Sequence, residues 1–297
     1  MLHEFFYWLV NMSISAALCG IAVLLLRRLR CIPRRFSLLM WAIPLLRMTV
    51  PFGLRGRLTL MELAALLHSR QVELPEMSFG TSMNHMGLAD SYFPLEYPRT
   101  IIYRVFTVGG IIWLIGAAAL IIAFLMIYLT TLSELKSATP AENGTFVSEK
   151  VTCPAVYGIL RPRIILPVDY NAEELVLLHE RTHLKRGDNL WRFIAFIAAA
   201  IHWFNPLTWL FLKLFLEDVE LACDEAVLAS CGEEKRKEYA MLLVCSAEKT
   251  DVFASAFGGA KLRLRAKSIL SYKKLTLASI VTSALFICCV FYALLAN

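Results

Sequence analysis

Long apolar runs separated by basic or polar stretches set the plan of this chain. Residues 5–26 are predominantly apolar over twenty-two positions, enough for a helix to cross a bilayer core of about 30 Å. The run ends in Arg27, Arg28, Arg30, Arg34 and Arg35, a stop-transfer pattern whose basic side faces inward. Residues 36–53 read as a second, weaker span containing Pro44, Arg47 and Pro51. Arg47 is costly in lipid and is expected to snorkel to the outer interface; the alternative is that it faces the bundle interior. Residues 54–100 follow as an extracellular loop, with a short apolar helix over 58–68 lying on the membrane and a proline- and glycine-interrupted stretch over 71–99. Residues 101–129 hold a third span, in which Gly109, Gly110 and Gly116 permit close helix packing. Residues 275–294 form a fourth span with a basic flank before it, so both termini are expected outside.

Between the third and fourth spans, residues 130–274 are polar enough to form a cytoplasmic domain. Short β-like runs at 146–151, 155–160 and 163–166 are separated by Cys153-Pro154 and Arg161-Pro162. They predict a small sheet whose edge can accept an extended peptide by strand addition, or serve as a plain hairpin. A helix should start at Asn171, with Glu174 completing a capping box, and end at Gly187. Residues 190–216 are apolar but broken at His202-Trp203-Phe204-Asn205-Pro206. They read either as a hairpin dipping into the membrane or as two core helices. A carboxylate-rich helix over 217–231, a charged helix over 233–250 and a basic, glycine-containing stretch over 251–274 complete the domain.

Composition agrees with this plan. Of the 297 residues 58% are hydrophobic and only 18% charged, which marks a multi-span membrane protein. The net charge of +6 gathers beside apolar runs, so it signals no direct nucleic-acid binding. The eight cysteines form no C-x-x-C pair, which argues for free thiols in a reducing cytoplasm. The N-terminus lacks the basic flank and cleavage site of a secretory signal.

The candidate chemistry lies in His179-Glu180-Arg181-Thr182-His183. Histidines four apart share a helix face and can reach one Zn²⁺, with Glu180 beside them as general base. A catalytic zinc of this kind needs one more protein ligand. Glu220 and Asp224, also four apart, suit the roles of third ligand and of a carboxylate orienting a ligand histidine. Glu217, Asp218 and Glu225 are fallbacks expected to be solvated. His202 is open to a ligand, an oxyanion-stabilising or a packing role.

Four blocks in order resemble the signature stretches of the BlaR/MecR-type membrane metallopeptidases, the signal transducers of β-lactam resistance. They are residues 156–167, 179–188, 202–206 and 220–227, and the similarity runs from residue 1 to about 295. The resemblance implies a mainly α membrane protein with four transmembrane helices and a gluzincin-like α+β cytoplasmic zinc metallopeptidase domain. It implies one Zn²⁺ held by His179, His183 and Glu220, with Glu180 as general base and Asp224 in support. His202 and Asn205 are candidates to contact substrate. The implied substrate is a cytoplasmic protein, a DNA-binding repressor, or the chain itself. Self-cleavage would fall in the basic stretch holding Arg263, Arg265 and Ser268. The implied place is a bacterial plasma membrane, with the bilayer, a homodimer or a separate sensor as partners. The chain is expected to be a short form without the penicillin-binding sensor domain. Two other readings stay open: a catalytically silent membrane sensor or scaffold, and a CAAX-processing or quality-control protease.

Overall fold

The computed structural model describes residues 2–28, 33–50, 101–141, 144–168, 170, 173–248, 262–272 and 276–295. The expected outer loop over 54–100 lies outside them. The elements are α1 (Leu2–Arg27), α2 (Arg34–Met40), α3 (Ala42–Thr49), α4 (Ile101–Glu134), β1 (Thr139–Pro140), β2 (Phe146–Val147), β3 (Ala155–Tyr157) and β4 (Arg163–Leu166). They continue with α5 (Glu174–Arg186), α6 (Asp188–Ile201), α7 (Pro206–Cys231), α8 (Arg236–Glu248), α9 (262–270) and α10 (Leu277–Leu295). The fold is mainly helical with one small sheet. Among the described residues, α1 and the stretch Arg104–Ser137 are long and apolar enough to cross a membrane, and Ile280–Tyr292 is a shorter apolar helix.

The described chain divides into two compact units. The first contains α1, α2, α3, the first part of α4, residues 198–211 and α10. Here α1 packs along α3, and α10 packs on α2 and α3. Leu9, Trp113 and Ala117 are buried together, with Phe6, Trp203 and Phe204 against them. The two indoles are also tied to the backbone: Trp113 Nε1 donates to Ile201 O at 2.7 Å and Trp203 Nε1 to Trp113 O at 3.2 Å. The glycines expected to allow close packing do so. A Cβ on Gly109 would lie 2.9 Å from the Phe6 ring, and one on Gly116 2.6 Å from the Trp203 indole.

Two expectations for this unit need correction. The second span is not one helix: it breaks at Trp41 into α2 and α3. Pro44 has no N–H to bond the carbonyl of Met40, so the helix stops there, and the proline is tolerated in the first turn of α3. Arg47 does not snorkel; it is buried, with 3% of its surface exposed.

The second unit holds residues 121–197 and 212–276. Its sheet has the order β1-β2-β4-β3, with β2 and β4 parallel and the outer pairs antiparallel. β3 is therefore an edge, but it is partly closed. Asn189 Nδ2 donates to Val156 O at 2.8 Å and to Gly158 O at 3.0 Å. α5 packs on β3 and β4. A core of Leu175, Val227, Leu228, Tyr239 and Ile269 joins α5, α7, α8 and α9. Each large apolar side chain fully buried there contributes about 1.5–3 kcal/mol. The active-helix boundary shifts from the sequence reading. α5 begins at Glu174, Glu173 at its cap makes no side-chain capping bond, and Asn171 lies outside the described residues. The predicted carboxylate helix is not separate either: α7 runs unbroken from Pro206 to Cys231.

The Gly116 contact yields a direct test. Gly116→Leu should lower the melting temperature of detergent-solubilised protein by the cost of overpacking, about 1–3 kcal/mol. Ile115→Ala, at a side chain 65% exposed, should leave it nearly unchanged.

Candidate metal centre

The site is built from α5 outward. His179 and His183 lie one turn apart on its buried face, with rings perpendicular and centroids 4.6 Å apart. Their Nε2 atoms face each other at 3.0 Å. α7 brings Glu220 to the same point. Its Oε2 is 3.7 Å from His179 Nε2 and its Oε1 is 3.7 Å from His183 Nε2. Donors placed tetrahedrally at about 2.0–2.1 Å from one ion are about 3.3–3.4 Å apart. The three residues therefore fit a single metal ion.

The far nitrogen of each ring is also engaged. α5 ends at Gly187, whose left-handed backbone (φ +65°) turns the chain. This lets Asp188, the first residue of α6, fold back onto His183, with Oδ2 2.6 Å from Nδ1. At His179 the partner is Tyr239 from α8, with its hydroxyl 2.7 Å from Nδ1. Tyr239 donates its own proton to Asp224 Oδ1 at 2.7 Å, so its oxygen is free to accept from the Nδ1–H of His179. With both Nδ1 atoms acting as donors, both Nε2 lone pairs turn to the shared point. Asp224 Oδ1 itself is 3.4 Å from His179 Nδ1. Its orienting effect runs through the tyrosine.

Cys223 forms a second, overlapping donor group with the two histidines. Its thiol is fully buried and lies 3.5 Å from His179 Nδ1. That nitrogen is already held by Tyr239.

Two arginines hold Glu220. Arg192 from α6 donates to Oε1 at 2.5 Å, and Arg265 Nη1 from α9 lies 3.3 Å from Oε2. Burial pushes the Glu220 carboxyl up, but hydrogen bonds to both histidines and the Arg265 charge prevail and hold it well below the usual range. Glu180 is buried beside them, and burial raises its carboxyl against the opposing pull of the histidines. Burial alone would lower both imidazoles. At His183 the bond to Asp188 leads the groups that reverse this, and at His179 the Cys223 thiol does.

An apolar cavity of about 310 Å³ adjoins the site, lined by Phe124, Tyr128, Tyr157, Arg192, Phe193 and Leu216 among others. Tyr157, raised chiefly by burial, also feels the Glu180 charge. Arg192, bound to Glu220, joins cavity and centre.

Of the residues singled out in sequence, His179, Glu180, His183, Glu220 and Asp224 come together in this unit. His202 and Asn205 belong to the other unit, and their bonds lie within it. His202 Nε2 lies 3.0 Å from Met48 O, and Asn205 caps α7 by accepting from Leu207 N at 3.0 Å and donating to Ser13 Oγ at 2.8 Å. Asp218 and Glu225, expected to be solvated, are buried. Arg263, Arg265 and Ser268 lie in the helix α9. Four residues escaped the sequence reading: Asp188, Arg192, Tyr239 and the site role of Arg265. A carboxylate just past the helix-ending glycine was a usable signal for Asp188. Tyr239 and Arg265 stand 60 and 86 positions from His179 and left no local signal.

A buried pair of helix-borne histidines backed by carboxylates, in a helical fold with a small sheet, is the arrangement of a metallopeptidase. The chain belongs to the BlaR1 peptidase M56 family, whose profile matches residues 7–270. It is similar to the Regulatory protein BlaR1 of Bacillus licheniformis, 29% identical over 158 residues, covering 45% of this chain and 26% of that protein. It is also similar to the Methicillin resistance mecR1 protein of Staphylococcus aureus, 28% identical over 110 residues, covering 35% and 19%. The matched stretches thus span about a quarter or less of these relatives.

The histidine supports predict a measurable effect. Asp188→Ala should weaken metal affinity about 10–100-fold, read by competition with a chromophoric chelator. Unchanged affinity would show that the Asp188–His183 bond does not orient the ring for a metal.

Proposed function

We propose that this protein is a membrane-embedded zinc metalloendopeptidase of the antirepressor signalling type. The convergence of His179 Nε2, His183 Nε2 and the Glu220 carboxylate on one point, with Glu180 buried beside it, carries this reading. His179, His183 and Glu220 would hold one Zn²⁺. Bound there, the ion supplies Lewis acidity toward the scissile carbonyl and brings the pKa of water down to about 7. Glu180 accepts the proton of the attacking water and passes it to the leaving amine. Its raised pKa suits both halves of that transfer. Asp188 and the Tyr239–Asp224 pair hold the two imidazoles in the tautomer that presents Nε2. The partly covered edge of β3 offers an extended substrate a place to pair once the Asn189 amide yields its carbonyls.

The similarity to a regulatory protein and to a methicillin-resistance protein supports a regulatory substrate, which we assign as a cytoplasmic DNA-binding repressor. The apolar helices α1, α4 and α10, with the broken α2–α3 segment, support a four-span arrangement in a bacterial plasma membrane. The Arg27–Arg35 cluster and the peptidase unit then face the cytoplasm.

Purified Glu180→Ala should keep its metal and lose proteolysis of a neighbouring-gene repressor, by at least about 100-fold if the residue acts as general base. His179→Ala should lose both metal and cleavage. Undiminished cleavage by Glu180→Ala would sink the assignment. Degradation of misfolded membrane proteins with the repressor left intact would point instead to a quality-control protease.

A further inference from the structure

We infer that Arg265 is a positioning residue of the metal centre, holding the Glu220 and Asp224 carboxylates in their working orientations. The inference rests on the reading of His179, His183 and Glu220 as metal ligands. α9 lies beyond the motif-bearing helices in sequence, yet its arginine reaches their charged groups. Nε donates to Asp224 Oδ2 at 2.8 Å and Nη2 to Asp224 Oδ1 at 2.7 Å, a two-pronged pair. Nη1 lies 3.3 Å from Glu220 Oε2, and Nη2 lies 3.4 Å from His179 Nε2.

The physical need is clear at Asp224, which is 1% exposed. A buried carboxylate is costly without a cation and hydrogen bonds. Arg265 supplies the charge and occupies both oxygens; Tyr239 adds its hydroxyl to Oδ1. Without the guanidinium, Asp224 would turn from its present orientation, Tyr239 would lose its fixed acceptor, and the Nδ1–H of His179 would lose its own. Glu220 would keep Arg192 on Oε1 but lose its partner on Oε2. One guanidinium thus acts on Glu220 directly, and on His179 both directly and through Asp224 and Tyr239. Anchoring α9 does not require this arginine. Ile269, 1% exposed, already packs in the core, and Arg236 Nη1 donates to Tyr272 O at 2.7 Å. The metal centre is therefore completed by α9, outside the motif-bearing helices.

The test uses the full chain in detergent, with Zn²⁺ affinity by chelator competition and the visible spectrum of the Co²⁺-loaded protein as readouts. Arg265→Ala should lower Zn²⁺ affinity about 10–100-fold and alter the Co²⁺ ligand-field bands. Arg265→Lys should recover part of the loss, because it restores the charge but not the fork; it also carries the test if the alanine variant does not fold. Ile269→Ala should lower the melting temperature while leaving affinity and spectrum of the folded protein unchanged. Wild-type affinity and spectrum in folded Arg265→Ala would overturn the inference, as would an equal effect from Ile269→Ala. If His183→Ala binds metal like the wild type, the ligand reading itself fails and takes the inference with it.

Discussion

Two imidazole nitrogens face each other at 3.0 Å in a buried pocket, and much of the second unit answers that constraint. Neutral lone pairs at that distance repel, and two buried imidazolium ions would repel more strongly. One proton held between the two nitrogens, a shared cation or a set of surrounding anions relieves that repulsion. The fold provides the anions. Glu220 closes on both Nε2 atoms, Asp188 takes the far nitrogen of one ring, and Tyr239 relays Asp224 to the other. Those carboxylates are themselves costly to bury, and Arg192 and Arg265 offset them.

This charge network explains why helices distant in sequence must meet. α5 presents the histidines, α6 gives Asp188 and Arg192, α7 gives Glu220 and Asp224, α8 gives Tyr239 and α9 gives Arg265. The apolar cluster of Leu175, Val227, Leu228, Tyr239 and Ile269 supplies the non-directional force that holds these elements together. The polar contacts then fix where they stop. Tyr239 belongs to both sets: its ring packs in the core and its hydroxyl completes the proton chain. The first unit uses a different device. Glycines on α4 bring backbone against aromatic rings, and two indole N–H groups tie α4 to the turn before α7, Trp113 donating to Ile201 O and Trp203 to Trp113 O.

The parts that could be read along the chain share a short range. The apolar runs gave α1 and α4 because hydropathy over some twenty positions suffices to mark a span. The i, i+4 spacing put His179 with His183, and Glu220 with Asp224, because helix geometry alone places such pairs on one face. Gly187 ended α5 for the equally local reason that it adopts a left-handed backbone. Pro44 was visible too, but its effect was underestimated: one missing N–H was enough to split the second span.

What the sequence by itself determined was the helix with the histidine pair, its carboxylate partner helix and the apolar segments around them, all properties of neighbouring residues. Only the tertiary structure decided that His202 and Asn205 serve a turn in the other unit, that Asp218 and Glu225 are buried, and that Tyr239 and Arg265 join the centre. Those outcomes depend on how helices separated by tens of residues pack. The burial of a charge, and the partner it must then find, is set by that packing and by nothing local.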